Sequence, residues 1–403
     1  MRSNTLKVRE VRTILGGDPV RYAELIRPDS IRVWRDEGIK ERLSWYYRVM
    51  RNSAPAKFII AKRIPTDIDP TDKGLGLSEL LRVHSRLKEE FNRVWRDVRE
   101  SPKPWKEIPS VKPKHTFLDV KVAIAYRLAS PCQLCERKCG TKRDFGEVGA
   151  CKVKGLKACV DTYFHHVGEE APLVPSGTIF YAGCNFRCVY CQNWNISQPV
   201  TPVGEEGCLD AKELATIQEW LRVSGAKNIN HVGGDPTPHL PVIIDSLRYL
   251  EVNVPQLWNS NMYLSELSME VLEDLIDIWL PDVKYGNDGC AVKYSGVPNY
   301  VKVIERNVVR AAKHGDMIVR HLVLPNHVRC CTEPVIKWLA KAAPNAVLNI
   351  MDQYHPDYLV ESHPEKWEEL TRHVSRDEMS EAFRIARESG YVGPVEDLWY
   401  VPP

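Results

Sequence analysis

Apolar and polar positions change rhythm three times along the chain. Over residues 78–99, Leu80, Leu81, His84, Leu87, Phe91, Val94, Trp95 and Val98 recur at helical spacing, with Ser78 placed as an N-cap. A second helix is expected over 38–51, where Trp45, Tyr46, Tyr47 and Met50 read as core contacts or, alternatively, as a stacking platform for bases. Four prolines among lysines at 101–115 read as an extended linker. From 120 to 170 periodicity fades while cysteine and glycine accumulate, as in a module organised by metal.

From residue 176 onward, apolar strands alternate with amphipathic helices. Six strands are expected at 177–184, 227–233, 254–261, 277–285, 317–325 and 346–351, with helices near 210–223, 238–250, 266–275, 298–314 and 332–342 between them. Ser375 with Glu378 forms a capping box that opens a helix ending at Gly390, followed by a docked tail. The expected fold is α/β: a partial (βα)6 TIM-like barrel over 176–356. It is preceded by a helical extension at 1–115 and a Cys-rich metal module at 116–175, and followed by a helical tail at 357–403. In such folds chemistry sits at the carboxyl ends of the strands.

Composition narrows the class. The chain has 403 residues, of which 43% are hydrophobic and 27% charged, a globular balance. No apolar run approaches the roughly 20 residues that span a bilayer, and the first residues lack a signal-peptide core, so a cytoplasmic protein is expected. Net charge is +2 but uneven. Residues 1–120 carry 26 Lys/Arg against 17 Asp/Glu, leaving 55 − 26 = 29 against 53 − 17 = 36 for the rest. A basic first third on an acidic body implies an anionic partner such as RNA, or docking within the chain.

Twelve cysteines are many for a reducing compartment, where disulfides are not expected outside hyperthermophiles. Seven of them fall into two tight groups, which points to metal. Cys184, Cys188 and Cys191 lie just past a strand end, and no fourth cysteine is near them in sequence. Three thiolates that wrap one cubane leave an iron open for a substrate to coordinate. Cys132, Cys135, Cys139 and Cys151 offer four soft ligands for zinc or a second iron–sulfur cluster, buried thiols being the alternative. Cys208, Cys290, Cys330 and Cys331 read as core or incidental residues.

The CxxxCxxC spacing, with Tyr190 before its last cysteine, resembles the radical SAM superfamily. The stretch GCNFRCVYCQNWNIS resembles its pyruvate formate-lyase activating enzyme-like branch, and the resemblance extends over residues 130–356. It implies a [4Fe–4S] cluster on Cys184, Cys188 and Cys191, with S-adenosylmethionine on the open iron. One electron from a flavodoxin- or ferredoxin-type donor would then yield a 5′-deoxyadenosyl radical. By the same resemblance, Gly233, Gly234 and Asp235 match a GGEP motif with Asp in place of Glu, at the methionine amino group. Asn259 and Ser260 match an Asp-Thr pair, and the Asn departs from the Asp of the family's cation site. Asp282 and Lys284 match Asp-Leu-Lys, Arg320 a cofactor-contacting arginine, and His355 a ribose-contacting histidine. The implied substrate is a protein or RNA: a glycyl radical protein to be activated, or a macromolecule to be modified. A non-catalytic iron–sulfur or zinc protein that binds RNA through its basic first third stands as the alternative.

Overall fold

The computed structural model describes residues 25–101, 113–204 and 206–391. The proline-rich stretch at 102–112 and the tail at 392–403 lie outside these residues. After a single helical turn at Asp29–Arg32, the described chain forms α1 (Glu37–Arg42), α2 (Ser44–Met50), α3 (Lys57–Ala61) and α4 (Leu77–Glu100). Helix α4 begins one residue before Ser78, after Gly76, with no side-chain cap, so Ser78 lies in its first turn. The Cys-rich segment contains two elements that its weak periodicity hides, α5 (Phe117–Ala129) and β1 (Val160–His166). Helix α5 is buried along most of its length, and this removes the polar face that betrays an amphipathic helix.

The barrel follows as β2 (Ser176–Tyr181), α6 (Ala211–Val223), β3 (Ile229–Gly233), α7 (Leu240–Ser246), β4 (Gln256–Ser260), α8 (Glu266–Leu272) and β5 (Ile278–Pro281). It continues through α9 (Asp288–Ser295), α10 (Tyr300–His314), β6 (Asp316–Leu322), α11 (Glu333–Ala342) and β7 (Val347–Met351), and α12 (Arg376–Glu388) ends the described chain. Strands β2 to β7 are parallel and ordered as in the sequence, while β1 pairs antiparallel with β2 at the open edge. Sequential parallel order with crossover helices is what the strand–helix alternation dictates. A partial α/β barrel with a helical N-terminal region is therefore the architecture.

The N-terminal helices form the floor of this barrel. Ile39, Leu43, Tyr46 and Met50 pack against Leu257, Ile278, Leu280, Ile318 and Val347, which point inward from four different strands. Trp45 and Tyr46 are fully buried, so the aromatic run is core and not a surface platform. Some basic side chains of this region are spent on the barrel. Lys88 pairs with Glu273, and just beyond the region Lys121 of α5 meets Asp274 at 2.8 Å with both side chains wholly buried. The Lys57 ammonium donates to the carbonyls of Glu273 and His314. The charge asymmetry read from sequence is thus discharged in part by docking within the chain.

One cysteine pairing departs from expectation. Cys208, assigned to the core, forms a disulfide with Cys159. The cause is local: Ala158 and Leu209 exchange both backbone hydrogen bonds at 2.9 and 2.8 Å, which sets the following and preceding cysteines side by side.

Candidate metal and cofactor site at the barrel mouth

Strand β2 delivers the cluster loop. Beyond Tyr181 the chain turns through Gly183, and Cys184 enters beside the Cys-rich module, its backbone N–H donating to the Cys151 carbonyl at 3.2 Å. Arg187 N–H and Val189 N–H donate to the carbonyls of Ser295 and Tyr294 at the end of α9, both at 2.9 Å. Leu359 N–H donates to the Val189 carbonyl, also at 2.9 Å, and Gln192 reaches the Gln353 carbonyl after β7. The loop is thereby held from three sides.

Cys184 and Cys188 are buried and Cys191 is partly so. Burial raises the Cys184 thiol well above its usual value, and nearby Asp235 and Cys188 add to the effect. Burial also pushes Cys188 up to about 11, opposed first by the charge of Lys284. Converging buried thiols resist ionisation unless a cation compensates them, so this donor set suits an iron–sulfur cluster. Hydroxyls line the sulfurs: Ser295 Oγ lies 2.9 Å from Cys188 Sγ, and Ser197 Oγ 3.0 Å from Cys191 Sγ. Asn261 Nδ2 lies 3.8 Å from Cys184 Sγ. Nothing in the sequence pattern singles out Ser295, which tertiary packing brings here, whereas Ser197 follows Cys191 by six residues.

The other strand ends gather around the loop. Gly233 has φ +122°, and a Cβ on it would fall 2.2 Å from Tyr181 N. A Cβ on Gly234 would lie 2.1 Å from the Gly183 carbonyl oxygen. Both glycines are required by close backbone approach to the cluster loop. Asp235 acts as a tie between strand ends. Its Oδ1 accepts from Thr237 N–H at 2.9 Å, and its Oδ2 accepts from Ser260 Oγ and Asn261 N–H at 3.0 and 3.1 Å. Asn259 is buried with its Nδ2 unpartnered.

Asp282 and Lys284 form an ion pair of 2.9 Å. Burial alone would lower the Lys284 ammonium, but Asp282 and Cys188 outweigh it and hold the lysine charged. Tyr190 is buried, its hydroxyl 2.7 Å from that of Tyr285, which in turn lies 2.6 Å from Ser295 Oγ.

Two predicted residues have surroundings the sequence did not signal. Arg320 is gripped by both carboxylate oxygens of Glu170, each at 2.7 Å, and by Glu169. Asn349 and Asn230 donate to these two glutamates at 2.9 Å. His355 stands at the surface, its side chain 47% exposed, 4.0 Å from Asp357.

The four earlier cysteines also come together. Cys132 and Cys139 lie within electrostatic reach of each other, as does Cys135 of Cys139 and Cys151. Cys135 also bridges to Leu264 in the loop after β4, so this group abuts the barrel mouth.

A partial α/β barrel with three thiols at its carboxyl face, two buried and one partly so, defines a class of metal-dependent enzyme scaffold. The chain belongs to the radical SAM superfamily, whose family model matches residues 178–339. It is 41% identical over 348 residues to the uncharacterized protein MJ0674 of Methanocaldococcus jannaschii, covering 86% of this chain and 97% of that one. It is 24% identical over 162 residues to the pyruvate formate-lyase-activating enzyme of Staphylococcus aureus, a match that takes in 39% of this chain and 51% of the enzyme. Among solved structures, Streptococcus suis SuiB bound to S-adenosylmethionine aligns with a TM-score of 0.33 and 12% identity, over 46% of this chain and 44% of that one. The superfamily implies an enzyme that uses a [4Fe–4S] cluster and S-adenosylmethionine. Among the described residues no helix is long and apolar enough to cross a membrane.

Proposed function

We propose that Cys184, Cys188 and Cys191 hold a [4Fe–4S] cluster and that the chain uses it to take hydrogen from a macromolecular substrate. When bound and reduced by a flavodoxin- or ferredoxin-type donor, the cluster would supply the electron that splits S-adenosylmethionine into methionine and a 5′-deoxyadenosyl radical. The observation that carries the reading is the convergence of three thiols with the Lys284 ammonium, which lies within electrostatic reach of Cys188. In this reading the chain's own groups bind and orient. Lys284 offers its charge to the methionine carboxylate, Gly233 and Gly234 leave backbone room for the amino group, and Asp235 positions the β3 and β4 ends. Tyr190 braces the loop. Arg320 and His355 are assigned to the cofactor's adenosine side, with Glu169 and Glu170 orienting the arginine.

The deciding experiment is anaerobic. The protein is supplied with iron and sulfide, reduced, and given S-adenosylmethionine, and 5′-deoxyadenosine is then quantified. Product above the unreduced control is expected; none, from protein with a verified and reducible cluster in the presence of cell extract, would favour a binding protein on this scaffold. Lys284→Ala should weaken S-adenosylmethionine binding about 10- to 100-fold, the worth of a hydrogen bond to a charged group, with cluster iron unchanged. Unaltered affinity in a calorimetric titration would remove Lys284 from the site.

Cys132, Cys135, Cys139 and Cys151 are proposed as a second metal site, of zinc or iron–sulfur type. Cys135→Ala should lower metal content while 5′-deoxyadenosine still forms. Unchanged metal content would return these residues to the role of buried thiols.

For the substrate, the packing of the N-terminal helices against the barrel floor supports a protein over RNA. The aromatic run is core there, and Lys57 and Lys88 are engaged with the barrel. Activation of a glycyl radical protein is the version proposed first.

A further inference from the structure

A third set of soft ligands lies apart from both cysteine groups. Cys290, His327 and Cys330 each present a ligand atom, and these atoms all lie within 4.8 Å of one another. Cys290 sits in the first turn of α9, after β5. His327 and Cys330 come from the segment after β6, where a π-helical turn, Val328–Thr332, precedes α11. A π turn inside a helical run costs hydrogen-bond quality and is found mostly where a site requires it.

The surroundings are those of a prepared site. The Nδ1 of His327 lies 2.7 Å from the Pro325 carbonyl, an acceptor only, so Nδ1 carries the proton and Nε2 keeps a lone pair. Tyr294 OH lies 2.9 Å from that Nε2 and 2.5 Å from Glu369 Oε1, so its single proton is shared between two acceptors, and an ion taking the Nε2 lone pair would leave that proton to Glu369. A carbonyl on the far nitrogen is the usual way a ligating histidine is fixed. Asn287 directs its Nδ2 toward Cys290 Sγ at 3.3 Å and Cys331 Sγ at 3.8 Å, and donates to the Cys330 carbonyl at 2.8 Å. N–H groups aimed at sulfur favour the thiolate that a metal needs. Cys331 Sγ, 3.9 Å from Cys330 Sγ, is the nearest further donor.

We propose that Cys290, His327 and Cys330 bind a single soft divalent ion of the zinc class. Metal–sulfur bonds of about 2.3 Å at tetrahedral angles set sulfurs about 3.8 Å apart, so the donors need close by no more than about 1 Å. A cubane fits poorly, since each thiolate must reach a different iron. The ion clamps the β5 and β6 loops together at one end of α9. The other end of α9 is Ser295, whose hydroxyl touches Cys188 Sγ, so the ion steadies the helix that borders the three-thiol loop. The assignment stands whether or not the chain cleaves S-adenosylmethionine.

The test uses the full-length, cluster-containing protein, kept anaerobic and reduced, exposed to zinc alone and then desalted. Wild type should retain about one more zinc per chain than Cys290→Ser and than His327→Gln, with iron content equal in all three. The iron reading separates loss of this site from loss of fold or of the three-thiol cluster. Residue-resolved alkylation of wild type supplies a check that needs no variant. Zinc should slow iodoacetamide modification of Cys290 and Cys330 about tenfold or more, and a chelator should restore it. Equal zinc in all three proteins, or alkylation indifferent to zinc, would overturn the proposal.

Discussion

Cys188→Ala is expected to reduce 5′-deoxyadenosine formation to background and to lower the iron content by one cluster per chain. The sulfur it removes is the middle member of the trio, flanked by a hydroxyl and a positive charge. Ser295 Oγ lies 2.9 Å from it, and the Lys284 charge opposes the burial that would keep it protonated. With two thiolates left, a cubane would have two irons without protein ligands, an arrangement that exposes it to loss. The backbone should tolerate the change, because the loop is pinned by main-chain bonds at Arg187 and Val189 that do not involve the Cys188 side chain. The variant should therefore melt close to wild-type apoprotein, and that comparison separates cofactor loss from misfolding. Cleavage that persists in Cys188→Ala would sink the cluster assignment outright. Metal retained without cleavage would instead show that the three-ligand geometry, and not iron alone, is what the chemistry needs.

The barrel was legible because each strand from β2 to β7 is a short apolar run that ends in polar residues, and period and punctuation agree there. Gly233, Asp282 and Lys284 were singled out by the resemblance, and the legible strand ends placed them on one face. Elements stayed hidden where burial erased the pattern or where partners are remote. Helix α5 is nearly apolar all round, and β1 alternates too weakly at an open edge. The pairing of Cys159 with Cys208, 49 positions apart, depends on a two-residue bridge between their neighbours. Glu169 and Glu170, which grip Arg320, sit in an unremarkable loop some 150 residues before it. Cys290 and His327 are brought together by two different βα loops. In each case the missing information is tertiary: which loops face each other at the barrel mouth is not written in any local window.

The largest effect on stability is expected from Asp277→Ala, on the floor of the barrel. Asp277 is fully buried at the start of β5. Its Oδ1 accepts from Trp45 Nε1 at 2.8 Å and Lys57 N–H at 3.0 Å, and its Oδ2 accepts from Gln256 N–H at 2.9 Å. One carboxylate thus joins α2, α3 and β4. Alanine would leave three buried donors without acceptors at about 1–3 kcal/mol each, so a loss of about 3–9 kcal/mol is expected in denaturant unfolding at pH 7.5. Asp277→Asn should lose less, since its amide oxygen can still serve Trp45 and Lys57. Burial pushes the Asp277 carboxyl up to about 6, against the opposing pull of the Gln256 N–H and Lys57. Between an unfolded value near 4 and about 6 the folded state therefore binds the extra proton, and its stability falls as pH rises through that window. Alanine abolishes this slope, so the gap between wild type and variant should be about 1 kcal/mol wider at pH 5 than at pH 7.5. A loss under about 1 kcal/mol at pH 7.5, or a gap that narrows at pH 5, would mean that the helices are not anchored through this residue. Because Asp277 lies at the amino ends of the strands and the thiols at the carboxyl ends, variant protein kept folded by low temperature should still bind S-adenosylmethionine with wild-type affinity. Floor and mouth would then be separable, the one securing the barrel and the other presenting the chemistry.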